Sequence, residues 1–220
     1  MLVNLSKPQI SIVLTVYNRK RTIYRALESI LNQSFTDYEI IIVDDGSSDN
    51  LHNKLLRFIK YDYRIKFVAH TNRKTPLSLN TGMKLSDGKY ITFLDSDDEY
   101  EKNHLSERIM YFNKHRNVDL IHSNAVIIGR EKDMFVPDAR NTNKLIHLKD
   151  CVLGATLFGK KDVFFKLNGF RNVYSYDSDF VKRAEKSFRV TKIESSSYIY
   201  YRNSKDSILT NLKMAVNEKL

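Results

Sequence analysis

The fold of this chain is decided by one stretch, Tyr90-Ile91-Thr92-Phe93-Leu94-Asp95-Ser96-Asp97-Asp98. An apolar run typical of a buried strand stops there on three carboxylates within four residues. Open α/β sheets bind ligands at the carboxyl ends of their strands, so the acidic groups lie where a ligand would bind. Crowded carboxylates repel one another and lose hydration, which costs free energy unless a cation holds them together. Mg²⁺ and Mn²⁺ suit such oxygen ligands, and Mg²⁺ usually takes one or two carboxylates plus phosphate oxygens.

This acidic stretch supports two interpretations. The first is a metal site, the Asp-x-Asp motif Asp95-Ser96-Asp97, that grips a diphosphate. The second is an Asx-rich turn that caps the following helix, because Asp and Ser also make good N-caps. The stretch alone does not separate the two.

The composition is that of a globular protein. Of the 220 residues, 42% are hydrophobic and 28% are charged, which are ordinary values for such a chain. No stretch approaches the ~20 apolar residues that cross a bilayer, and residues 1–7 lack the charged start and apolar core of a secretory signal. A single cysteine, Cys151, excludes an internal disulfide and an all-cysteine metal site. These features predict a cytoplasmic protein.

The formal charge of +10 has two interpretations. It fits an anionic partner, such as nucleic acid, lipid headgroups or a phosphorylated substrate, and it also fits a well-solvated surface. Basic residues are dispersed, and the densest cluster lies at helical spacing in Lys182, Arg183, Lys186 and Arg189. Dispersed charge favours the solvated surface, with peripheral contact to the inner face of a membrane as the second choice. We expect no nucleic-acid partner and leave the oligomeric state open.

Strand and helix patterns alternate in the first half of the chain. Apolar runs of strand type are followed by apolar residues at helical spacing. This order implies a parallel sheet wrapped by helices, and no linker-like composition divides it. The predicted strands are 10–16, 38–43, 65–69 and 90–94, and the predicted helices are 23–31, 51–59, 77–85 and 105–112. Gly82 weakens the third helix, and His104 and His115 are predicted to be solvated.

The pattern changes after residue 117. We predict one long strand over 118–128 and a loop or irregular excursion over 129–143. A short helix over 161–167 should end on a left-handed cap at Asn168-Gly169. A further helix over 177–188 and strands over 190–193 and 198–201 complete the chain, as a part that closes a substrate cleft. The tail 208–220 reads as a short amphipathic helix or as a frayed terminus.

Two more apolar strands end in polar side chains. Asp44-Asp45-Gly46-Ser47-Ser48-Asp49 follows the second strand, and Thr15-Val16-Tyr17-Asn18 ends the first. These groups could hydrogen-bond a base or ribose, and Tyr17 could stack on a base ring; each alone also fits an ordinary turn or sheet edge. Three adjacent strand ends with polar groups together favour a nucleotide cleft. The chain has no glycine-rich phosphate loop, and this absence argues against a dinucleotide oxidoreductase or a P-loop ATPase.

These motifs, taken in order, resemble those of the family 2 inverting glycosyltransferases. The resemblance spans nearly the whole chain and is carried by the two polar strand ends above, Leu27–Phe35, Asn80-Thr81-Gly82, Gly88–Asp98, Phe158–Phe164, Asn168-Gly169-Phe170 and Tyr176–Phe180. It implies an α/β fold of glycosyltransferase A type, a Rossmann-like single-domain αβα sandwich with a mostly parallel central sheet. Residues 8–117 would be the nucleotide-sugar-binding half, 118–207 the acceptor-side half and 208–220 a tail.

The resemblance also implies roles for individual residues. Asp97 would be the main ligand of Mn²⁺ or Mg²⁺, Asp95 would contact the ribose or help to hold the metal, and Asp177 would be the general base. The other residues implied for nucleotide-sugar binding are Thr15 and Tyr17 at the base, Asp45 hydrogen-bonded to the base with Asp44 in support, Asn18 and Ser96 beside them, and Arg73, Lys74 and Arg202 at the diphosphate.

Three positions depart from the family pattern. Tyr176 stands where a Glu usually precedes the base, Leu79 stands where an Arg is common, and Ser204 stands where a His often precedes the position of Ser207. The missing arginine makes Arg73 or Lys74 the candidate for the diphosphate.

The expected function is a metal-dependent inverting transfer of a sugar from a nucleotide diphosphate sugar, UDP-linked, to a glycan or lipid-linked saccharide. The departing diphosphate gains negative charge that a divalent ion stabilises, while a base takes the acceptor's proton. Without the resemblance, Asp177 would be read as a charge that complements a helix dipole. One alternative is a nucleotidyltransferase, although Asn18–Arg21 lacks the usual glycine-rich loop. The other is a non-catalytic nucleotide-sugar-binding module. Acceptor specificity is expected in 129–150 and after Ser207.

Overall fold

The apolar runs of the first half form the predicted strands, each followed by a helix. The computed structural model describes residues 7–202, apart from the side chain of Thr142. Strands β1, β2 and β4 consist mostly of apolar residues because they are buried on both faces. The elements are β1 (Ile10–Val16), α1 (Ile23–Leu31), β2 (Tyr38–Asp44), α2 (Leu51–Tyr61), β3 (Ile65–Ala69), α3 (Thr75–Lys84), β4 (Tyr90–Asp95), β5 (Glu99–Tyr100) and α4 (His104–Lys114).

The second half consists of shorter elements. They are β6 (Leu120–Ser123), β7 (Val126–Ile128), β8 (Phe135–Asp138), β9 (Asn141–His147), β10 (Phe158–Lys160), α5 (Lys161–Lys166), α6 (Tyr176–Ala184), β11 (Val190–Ile193) and β12 (Tyr198–Tyr201). Helix α5 ends as predicted on two left-handed residues, Asn168 and Gly169, with φ of 54° and 66°. The tail 208–220, Ser204 and Ser207 lie outside the described residues.

A seven-stranded sheet forms the centre of the molecule, in the order β11-β6-β10-β4-β1-β2-β3. Every pairing that does not involve β10 is parallel, whereas β10 runs antiparallel to both β4 and β6. The mostly parallel sheet is therefore confirmed. Because β1 lies between β2 and β4, the three polar strand ends are neighbours, and Thr15 pairs with Asp95 while Val16 pairs with Asp44.

Helices cover both faces of this sheet. Alternate residues of β1 point to opposite sides, so that Ile12 and Leu14 belong to one hydrophobic cluster and Val13 to the other. The first cluster includes residues of α1, α2 and α4, and the second includes residues of α3, α5 and α6. This arrangement is the expected αβα sandwich. Within residues 7–202, no helix has both the length and the apolar character needed to cross a bilayer.

The prediction of one long strand over 118–128 was wrong. The chain leaves the central sheet after Ser123, and β7 then pairs parallel with β12 in a separate three-stranded sheet, β5-β12-β7. The apolar pattern continues through both strands, which is why sequence alone does not show the break. The expected excursion over 129–143 instead contains β8, which pairs antiparallel with β9, Phe135 lying opposite His147.

Gly82 has a packing role that the sequence did not indicate. A Cβ added at this position of α3 would lie 2.3 Å from Cγ1 of Val13 in β1. The glycine therefore lets α3 lie directly on the central strand, which outweighs its low helix propensity. Helix α3 also binds the second half, because the Asn80 side chain donates to the Phe170 carbonyl and accepts from the Phe170 N–H, both at 2.8 Å.

Candidate active site

The end of β2 supports the turn that follows it and the loop after β3. Asp44 Oδ1 accepts a hydrogen bond from the Ser47 N–H at 2.9 Å, and Asp45 Oδ1 accepts one from the Arg73 N–H at 2.7 Å. His70, which sequence reasoning missed, places its Nδ1 3.4 Å from the same Asp45 oxygen. The structure thus brings the predicted Asp44, Asp45 and Arg73 together.

Lys74 adjoins this contact in a strained conformation, with φ of 71°. The side chains of both Arg73 and Lys74 are exposed. It is the backbone of Arg73, not its guanidinium, that contacts Asp45. The predicted contact of either side chain with a diphosphate stays a prediction.

The end of β1 is tied to the end of β2 through Asn18. This residue is left-handed, with φ of 50°, its N–H donates to Ser47 Oγ at 2.9 Å and its Oδ1 accepts from the Ser48 N–H at 2.8 Å. Backbone strain of this kind persists where the surroundings fix it, often at a binding site. Tyr17 is 48% exposed and Thr15 is 8% exposed, so the Tyr17 ring presents a surface on which a base could stack.

The two aspartates that follow β4 lie in different environments. Asp98 is buried, and its carboxylate accepts hydrogen bonds from the Tyr198 hydroxyl at 2.6 Å and the Tyr201 N–H at 2.9 Å. Asp97 is partly exposed, whereas Ser96 between the two carboxylates of the motif is buried. Asp98 therefore joins the strand end to β12, and the neighbouring carboxylates remain for a ligand.

Two arginines that the sequence analysis did not single out hold Asp97. Arg19 Nε lies 3.4 Å from Asp97 Oδ2, and the Arg25 guanidinium donates to the Asp97 carbonyl. Arg25 also lies 2.9 Å from Glu99 Oε1 and 3.6 Å above the centre of the Tyr201 ring. The only signal for Arg19 was its position directly after a polar strand end, and Arg25 lies on the polar side of α1.

Asp177 lies in the first turn of α6, where three hydrogen bonds fix its carboxylate. Oδ1 accepts from the Ser178 N–H at 2.7 Å and from Ser175 Oγ at 3.2 Å, and Oδ2 accepts from the Gly154 N–H at 3.2 Å. Ser175 is itself left-handed, with φ of 54°. Burial raises the pKa of Asp177 and the hydrogen bonds oppose the rise. A Cβ at Gly154 would lie 3.1 Å from Asp177 Cβ, so this turn packs closely on the base candidate.

Electrostatics connects Asp177 to the end of β4. The pKa of Asp95 is raised to about 7, chiefly by burial and then by the negative charges of Asp97 and Asp177. Burial also raises the pKa of the Tyr176 hydroxyl, and the charges of Asp95 and Asp177 add to that rise. The structure thus brings the three predicted carboxylates close enough for their charges to interact, although Asp95 and Asp177 are 82 residues apart in the chain.

The donor set fits a divalent cation that also binds phosphate. No three or more His, Cys, Asp or Glu residues between 7 and 202 are grouped so that they could hold a metal by themselves. Mg²⁺ and Mn²⁺ sites at nucleotides, however, need only one or two carboxylates, because phosphate and water oxygens complete the coordination. Asp95 is a carboxyl group that burial and like charges disfavour as an anion, and a cation would relieve that repulsion.

Arg202 lies at the end of β12, where its Nε donates to the Asp133 carbonyl at 3.1 Å and its N–H donates to the Ile128 carbonyl at 2.7 Å. These contacts bind it to β7 and to the turn before β8. Its predicted contact with a diphosphate stays a prediction.

Comparison with known proteins gives one family. The family model described as glycosyl transferase family 2 matches residues 11–166. An Escherichia coli β-1,3-glucosyltransferase, WfgD, is 34% identical over 149 residues, 66% of this chain and 57% of its own. A Campylobacter jejuni GalNAc(5)-diNAcBac-PP-undecaprenol β-1,3-glucosyltransferase is 38% identical over 42% of this chain and 30% of its own. The chain therefore spans little more than half of the first relative and under a third of the second.

Solved structures share the fold. Staphylococcus aureus TarS 1-349 in complex with UDP-GlcNAc matches with a TM-score of 0.73 at 18% identity, covering 92% of this chain and 60% of TarS. The mannosyltransferase PcManGT of Pyrobaculum calidifontis, in complex with GDP-Man and Mn²⁺, matches with a TM-score of 0.68 at 19% identity, covering 88% of this chain and 57% of PcManGT. The expected glycosyltransferase A-type fold is confirmed.

Proposed function

The chain belongs to glycosyl transferase family 2, and on that premise we propose that it transfers a sugar from a nucleotide diphosphate sugar to a hydroxyl group. The donor would be UDP-linked and the acceptor a glycan or a lipid-linked saccharide. The name of the Escherichia coli relative includes UDP-Glc and α-D-GlcNAc-diphosphoundecaprenol, and the name of the Campylobacter relative includes PP-undecaprenol. These names support both halves of the proposal.

One observation carries the proposal: Asp177 lies close enough to the Asp95-Ser96-Asp97 motif for its negative charge to raise the pKa of Asp95. A transfer enzyme needs a group that takes a proton from the acceptor close to groups that bind the donor's diphosphate. The chain contributes the first from α6 and the second from β4. If the Asp95-Ser96-Asp97 motif only capped the following helix, or if Asp177 only complemented the α6 dipole, the two would not need to lie close together.

The nucleoside would lie across the ends of β1 and β2. Asp45 would accept a hydrogen bond from the base, Asp44 would hold the turn that positions Asp45, and Tyr17 would stack on the ring. Thr15 would line the same pocket, and Asn18 fixes both loops. Exposed Arg73 and Lys74 would neutralise phosphate charge.

Asp97 and Asp95 would hold Mn²⁺ or Mg²⁺. The ion, when bound, would supply positive charge at the diphosphate, where negative charge develops as the sugar leaves. The Mn²⁺ in the PcManGT complex supports this choice. The partial exposure of Asp97 leaves its carboxylate accessible from the cleft.

Asp177 would act as the general base. Its carboxylate is fixed by three donors and partly desolvated, which suits a group that must take a proton from a hydroxyl in a defined direction. In a single displacement, the acceptor oxygen would bond to the anomeric carbon while the bond between that carbon and the diphosphate breaks. The configuration of the anomeric carbon would thereby be inverted. The proton passes to the Asp177 carboxylate, and the diphosphate leaves with the electron pair.

A lipid-linked acceptor would place the protein on the inner face of a membrane, within the cytoplasm. The net charge of +10 would favour contact with anionic headgroups. Arg183, however, does not belong to such a surface, because its guanidinium pairs with Asp179 and donates to the carbonyls of Leu167 and Gly169.

Release of UDP from a panel of UDP-sugars, with an undecaprenol-type diphosphate saccharide as acceptor and Mn²⁺ present or removed by EDTA, tests the proposal. We expect UDP release that depends on both acceptor and metal. Asp177→Asn should lower kcat about 10²–10⁴-fold and leave the affinity for UDP within about twofold, because the amide keeps the shape of the side chain but accepts no proton.

Asp179→Asn is the matched control, since it makes the same change two residues later on the same helix, where the side chain pairs with Arg183. Turnover by Asp177→Asn equal to that of Asp179→Asn would exclude the base assignment. Tight UDP binding with no turnover of any donor would support the non-catalytic binding module instead. Release of pyrophosphate from UTP in the presence of a sugar 1-phosphate, with no release of UDP from any UDP-sugar, would support the nucleotidyltransferase alternative.

A further inference from the structure

Arg19 occupies a place at the acidic motif that the proposed function does not explain. Its Nε lies 3.4 Å from Asp97 Oδ2, and the two side chains are 18% and 22% exposed. The residues come from the loops after β1 and β4, which are neighbouring strands. An arginine thus pairs with one of the two carboxylates that would hold the cation.

Hydrogen bonds anchor the backbone around Arg19. Its carbonyl accepts hydrogen bonds from the N–H groups of Thr22 and Ile23, at 3.1 and 3.0 Å. The next residue, Lys20, donates its N–H to Asp49 Oδ2 at 2.9 Å. These bonds hold the start of α1 against the loop after β2. The guanidinium therefore stays close to the motif whichever anion it binds.

The backbone of Asp97 is held independently. Arg25 donates to the Asp97 carbonyl, while its pairing with Glu99 and its stacking on Tyr201 keep it in place. Removal of Arg19 from the Asp97 carboxylate would consequently leave the Asp97 main chain in position. Arg25 thus holds the main chain of the motif, whereas Arg19 pairs with the Asp97 carboxylate.

A guanidinium and a divalent cation compete for the same carboxylate, because its negative charge attracts both and the two positive charges repel each other. The donor brings a diphosphate with several oxygens that accept hydrogen bonds from an arginine. We propose that Arg19 is a donor-binding residue that exchanges partners: it pairs with Asp97 as observed, and it transfers to the diphosphate when donor and cation bind together. The inference rests on the proposed function of the acidic motif.

Binding measurements on Arg19→Gln and Arg21→Gln test the exchange without recourse to turnover. Arg21 is the matched control because it lies two residues further on in the same loop and is exposed. Mn²⁺ binding to the protein alone is followed by loss of the free-ion EPR signal. UDP binding is measured by calorimetry at saturating Mn²⁺.

We expect Arg19→Gln to tighten Mn²⁺ binding without nucleotide by about threefold, the size of a partly exposed ion pair. The same variant should weaken UDP binding at saturating Mn²⁺ by about tenfold, the value of one charge-assisted hydrogen bond. Arg21→Gln should change neither constant by more than about twofold, because a solvated charge is screened over this distance.

The exchange is overturned if Arg19→Gln matches Arg21→Gln in either measurement, since it requires both opposite changes. Failure of the native protein to bind UDP with Mn²⁺ would instead remove the proposed function. The two failures are therefore distinguishable in one set of titrations.

Discussion

Three aspartates within four positions have three separate tasks at the end of β4. Asp98 is buried against β12, and Asp97 is partly exposed beside Arg19. The pKa of Asp95 is raised in part by the negative charge of Asp177. The sequence predicts that carboxylates cluster here because the apolar run before them must be buried. The sequence does not show which of these aspartates has a structural role, because the Tyr198 hydroxyl that donates to Asp98 lies 100 residues later in the chain.

His104 shows how burial of a single residue escapes a pattern. The expectation that it is solvated was wrong, since it is fully buried, its ring stacked 3.7 Å from that of Tyr100. Its Nδ1 lies 3.0 Å from the Ser197 carbonyl, to which it donates a hydrogen bond. Burial, and secondarily the charge of Arg108, holds the pKa of His104 well below its usual range. His104 begins α4 and packs against Tyr100 of β5, in the three-stranded sheet β5-β12-β7. The polar residues around His104 in the sequence do not indicate this contact.

This neutral histidine should make the protein less stable in acid. Below its unfolded pKa of about 6.5, His104 binds a proton in the unfolded chain and not in the folded one, so stability falls as the pH decreases. His104→Asn keeps a donor near the Nδ1 position and removes the titration. We expect the native protein to lose about 1 kcal/mol more than the variant per pH unit below pH 6.

Urea unfolding at pH 5, 6, 7 and 8 measures the difference. His115→Asn, in which a histidine at the end of α4 is changed, is the control and should follow the native curve. Parallel curves for the native protein and His104→Asn would contradict a neutral buried histidine.

At the scale of elements, continuous apolar runs were a reliable guide and mixed runs were not. Strands β1, β2 and β4 are buried on both faces, so most of their positions need apolar residues and the pattern is clear. Buried polar residues within them have partners, as Ser11 Oγ has in Glu39 Oε1 at 2.6 Å. The break between β6 and β7 depends instead on a partner, β12, which lies far along the chain. The pairing of β8 with β9 uses polar residues such as Asn141 whose backbone, not side chain, makes the strand.

The contact of α3 with β1 gives a prediction at this scale. Gly82→Ala gains about 1 kcal/mol of helix propensity, but its Cβ would meet Val13 Cγ1 at 2.3 Å. Because crowding of a packed core costs about 1–3 kcal/mol, we expect net destabilisation. Val13→Ala should relieve part of it, with a coupling of about 1 kcal/mol or more in a double-mutant cycle.

Denaturant unfolding of the four proteins measures the coupling. Lys84→Ala, an exposed change in the same helix, is the control and should show no coupling energy with Val13→Ala. Additive effects of Gly82→Ala and Val13→Ala would mean that the helix shifts away from the strand without penalty.

At the scale of the molecule, the site exists only where the two halves meet. The loops proposed to bind the donor follow β1, β2 and β4, and the proposed base Asp177 comes from α6, while Asn80 joins α3 to Phe170 between them. The family motifs predicted this combination, whereas periodicity alone predicted only a sheet with helices. The roles of Arg19 and Arg25 could not be inferred, because their contacts depend on how the loops after β1 and β4 lie together.

Donor binding should therefore stabilise the chain as a whole. UDP at 100 times its Kd, with Mn²⁺, adds about 2.7 kcal/mol, which raises the Tm of a domain of this size by about 5–10 °C. EDTA should remove most of the increase, because Asp97 and Asp95 would lose the cation that joins them to the diphosphate. Differential scanning fluorimetry measures the shift.

Asp97→Ala should abolish the Mn²⁺-dependent part of this shift. Asp87→Ala is the control: this carboxylate precedes β4 and pairs with Lys66, away from the strand's carboxyl end. An equal increase in Tm for both variants would show that Asp97 does not contribute to donor binding.

Under the proposed function, β10, the reversed strand of the central sheet, would let donor and acceptor specificity change independently. Its direction places the turn at Gly154–Thr156, which donates to Asp177, at the edge where the parallel strands end. The hairpin of β8 and β9 is inserted before it and forms a two-stranded sheet of its own. Lengthening or exchanging that hairpin would leave the register of the donor-binding strands unchanged. Relatives could thus share nucleotide chemistry while they diverge in the saccharide they extend, and a hairpin transplant between them is a natural route to a new linkage.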